Sequence, residues 1–275
     1  MNVQPPSGTP VLLAPAGGME ALRAVLAAGA DAVYVGARGW SRGGPRVGLS
    51  HEDISLAARE CSRAGADLHV AFNTVPAAAE VPAYLSALRR IRDCGIVNVI
   101  LSDTGAIPLV HSEFPELSIC ASVGVSALNA ADAVFYRDLG AKAIVLPTAV
   151  SCGEVQAIKT AGGLRIEAFI RCRAEFILQG KCGLSGYARE ADEIEGRPDL
   201  AAAGPSSSAK RGGRCFLVCA ALPVERTPHT IEEELADWIR AGVDAFKIEG
   251  RDLPPAKLAA LVTRLRAKLD AALAG

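Results

Sequence analysis

Four of the eight cysteines lie close together in the second half of the chain, among arginine, lysine and glycine residues. They stand in the stretches "FIRCRAEFILQGKCGLSGY" (169–187) and "GRCFLVCA" (213–220), as Cys172, Cys182, Cys215 and Cys219. Thiolates bind zinc and iron–sulfur clusters, and neighbouring cations and backbone N–H groups offset their negative charge. This cysteine group is therefore a candidate metal site.

The spacing of these cysteines indicates which metal they would hold. Nine, thirty-two and three residues separate successive members, and no pair is CxxC. Structural zinc sites favour two tight CxxC-type turns, whereas a cluster accepts ligands from scattered loops. The spacing favours an iron–sulfur cluster and leaves zinc, or unrelated thiols, as alternatives.

Charged residues near the carboxyl end form a second candidate group. Glu249 and Arg251 stand in "KIEGR", two residues apart, which places them on one side of a continuing strand. Arg251 is a candidate clamp for a carboxylate, and Glu249 a candidate to orient that ligand or move a proton. The alternative is an ion pair that closes the fold. We expect Lys247 to be structural or to face a helix.

Neutral and aromatic residues at other strand ends are candidate substrate contacts. Asn73 and Ser122 can hydrogen-bond a ligand or cap a loop, while Arg38 and Trp40 lie in the glycine-rich "ARGWSRGGPRVG". That loop is a candidate anion-binding lid or a solvated loop. The chain has no HExxH or GxSxG pattern, so the sequence contains no recognisable protease machinery.

Eight short apolar runs alternate with amphipathic stretches, and this pattern predicts the elements that position these groups. The runs are "VLLAP", "AVYVG", "LHVAFN", "VNVILS", "LSICAS", "AIVLP", "RIEAFI" and "AFKIEG". β-Branched, apolar strands covered on both faces are typical of parallel sheets. The sequence predicts an α/β fold, a (β/α)8 TIM-like barrel, with a doubly wound sheet as the competitor. Function is then expected at the carboxyl ends of the strands.

Length and composition fit one such barrel. The chain has 275 residues, half of them hydrophobic, and a net charge of −1, so there is no global attraction to nucleic acid. No apolar run approaches the ~18 residues of a membrane span, and the start lacks a secretory signal. We expect a cytoplasmic protein with reduced thiols.

One connection is unusually long. Almost sixty residues separate the seventh strand from a helix expected to start near His229. Their middle, 187–213, is rich in charged and then in small residues, and it predicts a mobile surface loop within a single domain of residues 1–275.

Several phrases resemble the peptidase U32 family. They are "LLAPAG", "GADAVYVGAR", "LHVAFNT", "LSDTGAIPLVHSEFPELSICASV", "EAFIRCRAEFILQGKCGLSGY", "RCFLVCA" and "FKIEGRD", in this order along the chain. Despite its protease label, the family is similar in its better understood branches to iron–sulfur proteins that hydroxylate without O2. The resemblance includes a UbiU/UbiV-like branch that acts on ubiquinone precursors and branches that act on RNA bases. Prephenate is associated with the family as a hydroxyl donor.

The resemblance implies a [4Fe-4S] cluster held by four cysteines. Cys182, Cys215 and Cys219 match family ligands, but the fourth family position corresponds here to Glu175, or in another branch to Trp40. Cys172, three residues before Glu175, is the best substitute for the fourth ligand. If the Cys172 thiol does not reach the cluster, one iron has no thiolate ligand or is bound by Glu175.

The resemblance also implies a reaction and partners. We expect O2-independent hydroxylation of an aromatic or quinone-precursor ring, with a paralogous partner chain or a homo-oligomer and a small carboxylate or aromatic substrate. The chain ends one helix after "KIEGR", whereas RNA-acting members carry further domains, and this favours a small acceptor over nucleic acid. The alternatives are a non-catalytic iron–sulfur subunit, RNA-base hydroxylation and a U32-type peptidase.

Overall fold

Eight parallel strands close into a barrel in the computed structural model, which describes residues 8–42, 48–173 and 228–274. Strands β1 to β7 pair in chain order, and β9 pairs with both β7 and β1, which closes the ring. The barrel strands are β1 (Val11–Ala16), β2 (Ala32–Gly36), β3 (Asp67–Phe72), β4 (Asn98–Leu101), β5 (Ser118–Ala121), β6 (Ala143–Val145), β7 (Arg165–Cys172) and β9 (Ala245–Ile248). The predicted (β/α)8 barrel and its eight strands are confirmed.

Helices cover the outer face of the barrel. They are α1 (Met19–Ala27), α2 (His51–Ala64), α3 (Val81–Asp93), α4 (Ala106–Glu113), α5 (Ala130–Asp138), α6 (Cys152–Gly162), α7 (Leu235–Ala241) and α8 (Pro255–Ala274). Two short 3-10 turns, Ala78–Glu80 and Val123–Val125, precede α3 and α5. The buried faces of these helices pack with the outward strand residues into one large apolar core.

Local sequence determines where these helices begin and end. The Ser50 hydroxyl accepts a hydrogen bond from the Asp53 backbone N–H at 3.1 Å and caps α2. Gly29, Gly65 and Gly242, one in each "AGAD" or "AGVD" phrase, have φ values of 92°, 71° and 100°. Only glycine takes this left-handed conformation at low cost, so it ends the helix and turns the chain toward the next strand.

The inside of the barrel is packed with a second set of side chains. Leu13, Tyr34, Ile100, Cys120 and Phe169 belong to this inner group and are nearly inaccessible to solvent. Alternate residues of each strand point inward, so the barrel has a filled interior, as small barrels do.

The chain after β7 departs from the prediction. His229 and Thr230 form a two-residue strand, β8, which pairs antiparallel with Arg171 and Cys172, and the next helix begins at Leu235, not near His229. Pairing with the end of β7 keeps this segment extended. The predicted mobile loop, 187–213, lies outside the described residues, and the single-domain assignment stays a prediction. No helix in the described ranges is long and apolar enough to cross a membrane.

Candidate functional site at the carboxyl end of the barrel

Cys172 ends β7 on the inner side of the barrel. The register of β7 against β9 shifts between Phe169 and Arg171, and Phe169 and Cys172 both belong to the inner group of side chains. Strict alternation would have pointed Arg171 inward instead; a bulge re-aims the chain by one residue. The thiol side chain is consequently buried, with 4% of the residue exposed, at the end of the barrel where function is expected.

Glu249 is held against the end of β7. Its carboxylate accepts a hydrogen bond from the Arg173 backbone N–H at 2.5 Å, and its own N–H donates to the Arg171 carbonyl at 3.0 Å. The Arg173 guanidinium in turn binds both carboxylate oxygens of Asp252 at 2.6 Å. These contacts place a half-buried carboxylate next to the strand that carries Cys172.

Arg251 follows Glu249 beyond the end of β9. Strand β9 ends at Ile248, and Gly250 has a φ of 147°, so the two-residue spacing does not place both side chains on one side of a strand. Arg251 Nη2 donates to the Arg42 carbonyl at 2.5 Å, in the segment after β2. Glu249 still lies close enough to Arg251 to act on its pKa, and a joint role of the two side chains stays a prediction.

Arg251 is half-buried, and its guanidinium lies against Tyr34. Its Cζ lies 5.8 Å from the centre of the Tyr34 ring, and burial lowers the pKa of Arg251 from its usual value. Its Nη1 has no hydrogen-bond partner. An unpaired, buried donor of a charged group costs on the order of 1–3 kcal/mol or more.

An ion pair lies one layer deeper in the barrel. Lys247 Nζ is 2.7 Å from Glu167 Oε2, and both side chains are almost fully buried. Of the two alternatives expected for Lys247, a helix-facing position is wrong, because alternation along β9 points it inward, over the Tyr34 ring at 4.8 Å, whereas a structural role agrees with this ion pair. His69 Nδ1 lies 4.0 Å from Glu167 Oε1. Burial acts to raise the pKa of Glu167, but the Lys247 ammonium and His69 hold that pKa below its usual value.

Tyr34 links these two layers. Its ring lies between the Lys247 ammonium and the Arg251 guanidinium, and its hydroxyl donates to the Ile248 carbonyl at 2.8 Å. Burial raises the pKa of this phenol. Tyr34 was not predicted as a site residue. Its position two residues before the end of β2, on the inward-pointing side of the strand, is the signal that could have identified it.

Asn73 and Trp40 hold the segment around Arg42, whose carbonyl accepts from Arg251. Asn73 Oδ1 accepts from the Arg42 N–H at 2.8 Å, so its carbonyl oxygen caps the loop that carries the Arg251 acceptor. The Trp40 ring packs edge-on against Tyr84 with 5.3 Å between ring centres. Both residues support the rim of the site, and direct contact with a substrate stays a prediction for each.

Arg38 and Ser122 differ in their surroundings. Arg38 is exposed and lies 3.9 Å from the Asp53 carboxylate, too long for a strong ion pair. Ser122 follows β5 and is buried, and its backbone carbonyl accepts from Val125. Contact of Arg38 and of Ser122 with a substrate stays a prediction.

The site fits one ligand of the implied cluster. Cys172 is a buried inward thiol between two arginines, and an iron–sulfur cluster bound there would take its other ligands from separate loops. Cys182, Cys215, Cys219 and the alternative ligand Glu175 lie outside the described residues. Within the described ranges no three His, Cys, Asp or Glu side chains are grouped so as to hold a metal ion.

Two other cysteines stand at helix ends. Cys152 begins α6, where a helix amino terminus lowers a thiol pKa, yet burial and the nearby Asp237 raise the pKa of this thiol. Cys94 Sγ lies 3.2 Å from His51 Nε2, a contact between residues 43 positions apart that the sequence did not reveal. Cys94 is the C-cap residue of α3.

A separate cavity of about 450 Å³ opens on the outside of β7. Arg171, Glu232 and Arg264 are among its lining residues, and Glu232 lies 3.6 Å from Arg171 and pairs with Arg264. Burial acts to raise the pKa of Glu232, but hydrogen bonding and attraction from Arg264 hold it below its usual value. The charges here bind one another and join α8 to the end of β7.

Comparison with known proteins connects this barrel to RNA-modification proteins. The chain is 32% identical over 188 residues to "tRNA hydroxylation protein P" of Escherichia coli (strain K12), an alignment that covers 68% of this chain and 42% of that protein. It is 27% identical over 284 residues to the "23S rRNA 5-hydroxycytidine C2501 synthase" of the same organism, covering 94% of this chain and 39% of that protein. The chain thus spans about two fifths of the length of these relatives.

The fold is also similar to that of a solved U32 peptidase. That structure superimposes with a TM-score of 0.60 at 14% identity, covering 92% of this chain and 98% of the other. Such low identity shows the fold alone. The family model for peptidase family U32 matches residues 17–220, most of the chain. This chain is therefore a member of peptidase family U32.

Proposed function

We propose that this chain hydroxylates a base of RNA without using O2. The observation that carries the proposal is the similarity over 188 residues to a tRNA hydroxylation protein. The rRNA hydroxycytidine synthase adds a second relative whose name refers to a base of RNA. These relatives favour a nucleobase over the quinone-precursor ring of the UbiU/UbiV-like branch. They do not support the expectation that nucleic acid is an unlikely partner.

The proposed reaction site is the carboxyl end of the barrel. Cys172, Cys182, Cys215 and Cys219 would hold a [4Fe-4S] cluster, which when bound supplies a Lewis-acidic iron and a route for electrons. Glu175 remains the alternative fourth ligand.

Protein groups around Cys172 would bind and orient the reactants. The Glu249 carboxylate, fixed by the Arg173 N–H, is positioned to accept a proton from a substrate group that enters the barrel end. Arg251 provides a positive charge beside the segment after β2. Trp40, in the same segment, packs edge-on against Tyr84.

A non-catalytic iron–sulfur subunit stays the alternative, and it would be expected to bury the end that carries Glu249 and Arg251. A paralogous partner chain or a second copy, and a cytoplasmic location, stay predictions.

The proposal is tested by analysing RNA from cells. A bacterial strain deleted for its own tRNA hydroxylation protein P is grown without O2 and made to express this chain. Total tRNA and rRNA are digested, and mass spectrometry is used to find a nucleoside that is heavier by one oxygen. We expect this nucleoside with the unaltered chain and with Cys152→Ser, and its loss with Cys182→Ser. RNA that is unmodified throughout, accompanied by a newly hydroxylated quinone precursor, would refute the RNA assignment.

A further inference from the structure

Three successive residues at the end of β7 are each anchored by a different neighbour. The Arg171 guanidinium lies 3.6 Å from the Glu232 carboxylate, and the Cys172 backbone pairs antiparallel with β8. The Arg173 guanidinium binds both carboxylate oxygens of Asp252 at 2.6 Å. Cys172 therefore stands in the middle of a strand end that is held on both of its edges.

Glu249 bonds to the residues on either side of Cys172. Its N–H donates to the Arg171 carbonyl at 3.0 Å, and its carboxylate accepts from the Arg173 N–H at 2.5 Å. These two bonds lie beyond the register shift of β7 that brings Cys172 into the inner group of side chains. A bulge disrupts the ladder of hydrogen bonds locally, so the strand beyond it depends on such anchors to keep its direction.

The turn that carries Asp252 is itself fixed in place. The Leu253 N–H donates to the Gly250 carbonyl at 2.9 Å and closes a turn over residues 250–253. A Cβ atom on Gly17 would lie 1.9 Å from the Arg251 carbonyl oxygen, so this turn packs directly on the backbone that follows β1. The guanidinium at the end of β7 thus binds a carboxylate whose position is set by the barrel.

The ion pair between Arg173 and Asp252 is too exposed to stabilise the chain as a whole. The two side chains are 39% and 43% exposed, and pairs of this kind contribute little to global stability. Its effect is local, because it fixes the direction in which the backbone leaves Cys172. Local opening of a strand end is governed by contacts of this kind, separately from global unfolding.

We propose that Asp252 is a positioning residue, which through Arg173 keeps the Cys172 thiol turned into the barrel. The proposal rests on the proposed function, in which Cys172 is a cluster ligand, and it adds the group that aims this ligand. Groups that orient a ligand side chain commonly determine how well a metal is held. Asp252 acts through the backbone at Arg173 and not by contact with a reactant.

The access of a small reagent to the Cys172 thiol measures this positioning without RNA and without turnover. The full chain is purified without O2, treated with a chelator that removes bound iron, and labelled with iodoacetamide. Mass spectrometry of peptides gives the labelling rate of each cysteine. Cys61 and Cys120 are buried in other elements and serve as internal references, because general unfolding would expose them as well.

We expect Asp252→Asn to raise the labelling rate of Cys172 by about threefold to fivefold, the shift in local opening that loss of a partly exposed ion pair produces. Arg173→Gln should have the same effect, and the double variant no larger one, because all three remove the same interaction. Asp252→Glu keeps a carboxylate and should restore slow labelling. The matched control Glu113→Gln breaks a pair with Arg89 of the same length and similar exposure, and it should leave the Cys172 rate unchanged.

Two results would overturn the inference. One is a labelling rate of Cys172 that Asp252→Asn and Arg173→Gln both leave unchanged. The other is faster labelling of Cys61 and Cys120 together with Cys172, which would make Asp252 a general stabilising residue. Because the labelled chain holds no iron, either result leaves the proposed cluster and RNA hydroxylation standing. Conversely, a chain that binds no cluster leaves the labelling result intact.

Discussion

The ion pair between Lys247 and Glu167 allows a sharp test of how the barrel interior is stabilised. Replacing Lys247 by Met removes the ammonium that lies 2.7 Å from the Glu167 carboxylate. Glu167 must then stay charged in an apolar interior or take up a proton. Protonating a carboxyl group of pKa about 4.3 at pH 7 costs about 3.7 kcal/mol, at 1.36 kcal/mol per pH unit. We therefore expect Lys247→Met to lower the free energy of unfolding by about 3–5 kcal/mol at pH 7, the usual cost of breaking a buried pair.

The pH dependence of this loss distinguishes its cause. In the variant, the folded-state pKa of Glu167 rises above the unfolded value, so the destabilisation is largest at high pH and shrinks as the pH falls. At pH 5 the cost of protonating the same carboxyl group is only about 1 kcal/mol. Urea denaturation at pH 7 and pH 5, followed by circular dichroism, measures both values.

Two further variants complete the test. Arg89→Met breaks an ion pair with Glu113 at 2.6 Å, but its side chains are 49% and 45% exposed, so we expect a loss below about 1 kcal/mol. The double variant Glu167→Leu/Lys247→Met removes both charges and should recover most of the stability. A loss for Lys247→Met that equals that for Arg89→Met, or that is the same at both pH values, would refute this reasoning.

Three other predictions concern single side chains. Burial lowers the pKa of His69, so the unfolded chain gains a proton below about pH 6.5 before the folded chain does, and stability should fall on acidification by up to about 1.4 kcal/mol per pH unit. His69→Gln should flatten that slope in urea titrations between pH 6.5 and 5, and an unchanged slope would exclude His69 as its source. Gly17→Ala would place a Cβ 1.9 Å from the Arg251 carbonyl oxygen and should lower the free energy of unfolding by about 1–3 kcal/mol. The control Gly18→Ala meets no atom within 4 Å and should leave that free energy nearly unchanged. Equal losses in the two variants would contradict the steric argument. Ser50→Ala removes the cap of α2 and should lower the free energy of unfolding, measured by urea denaturation, by about 1 kcal/mol. An unchanged free energy of unfolding would contradict the capping role of Ser50.

The strands and helix ends were predictable because they depend on local patterns. Apolar runs separated by amphipathic stretches indicated all eight barrel strands, and Gly29, Gly65 and Gly242 marked helix ends through a conformation that other residues avoid. The same reasoning placed Cys172 and Glu249 at the carboxyl ends of their strands, where the structure brings them to adjacent strands.

Contacts across the barrel were not predictable in the same way. Glu167 and Lys247 lie 80 residues apart, and only the closure of the ring turns both inward. The register shift near Phe169 exchanged the orientations of Arg171 and Cys172, and β9 ends at Ile248, before Glu249 and Arg251. Each of these features depends on backbone geometry at a single residue, for which the apolar pattern carries no signal.

We propose that the carboxyl end of this barrel carries a thiolate-held iron–sulfur cluster. The most direct measurement is to purify the full chain without O2 and to count iron, acid-labile sulfide and zinc per chain. The account predicts about four irons and four sulfides, as in a [4Fe-4S] cluster, and a clear loss of iron in Cys172→Ser but not in Cys61→Ser. One zinc ion and no sulfide would make the cysteines a structural zinc site and contradict the account.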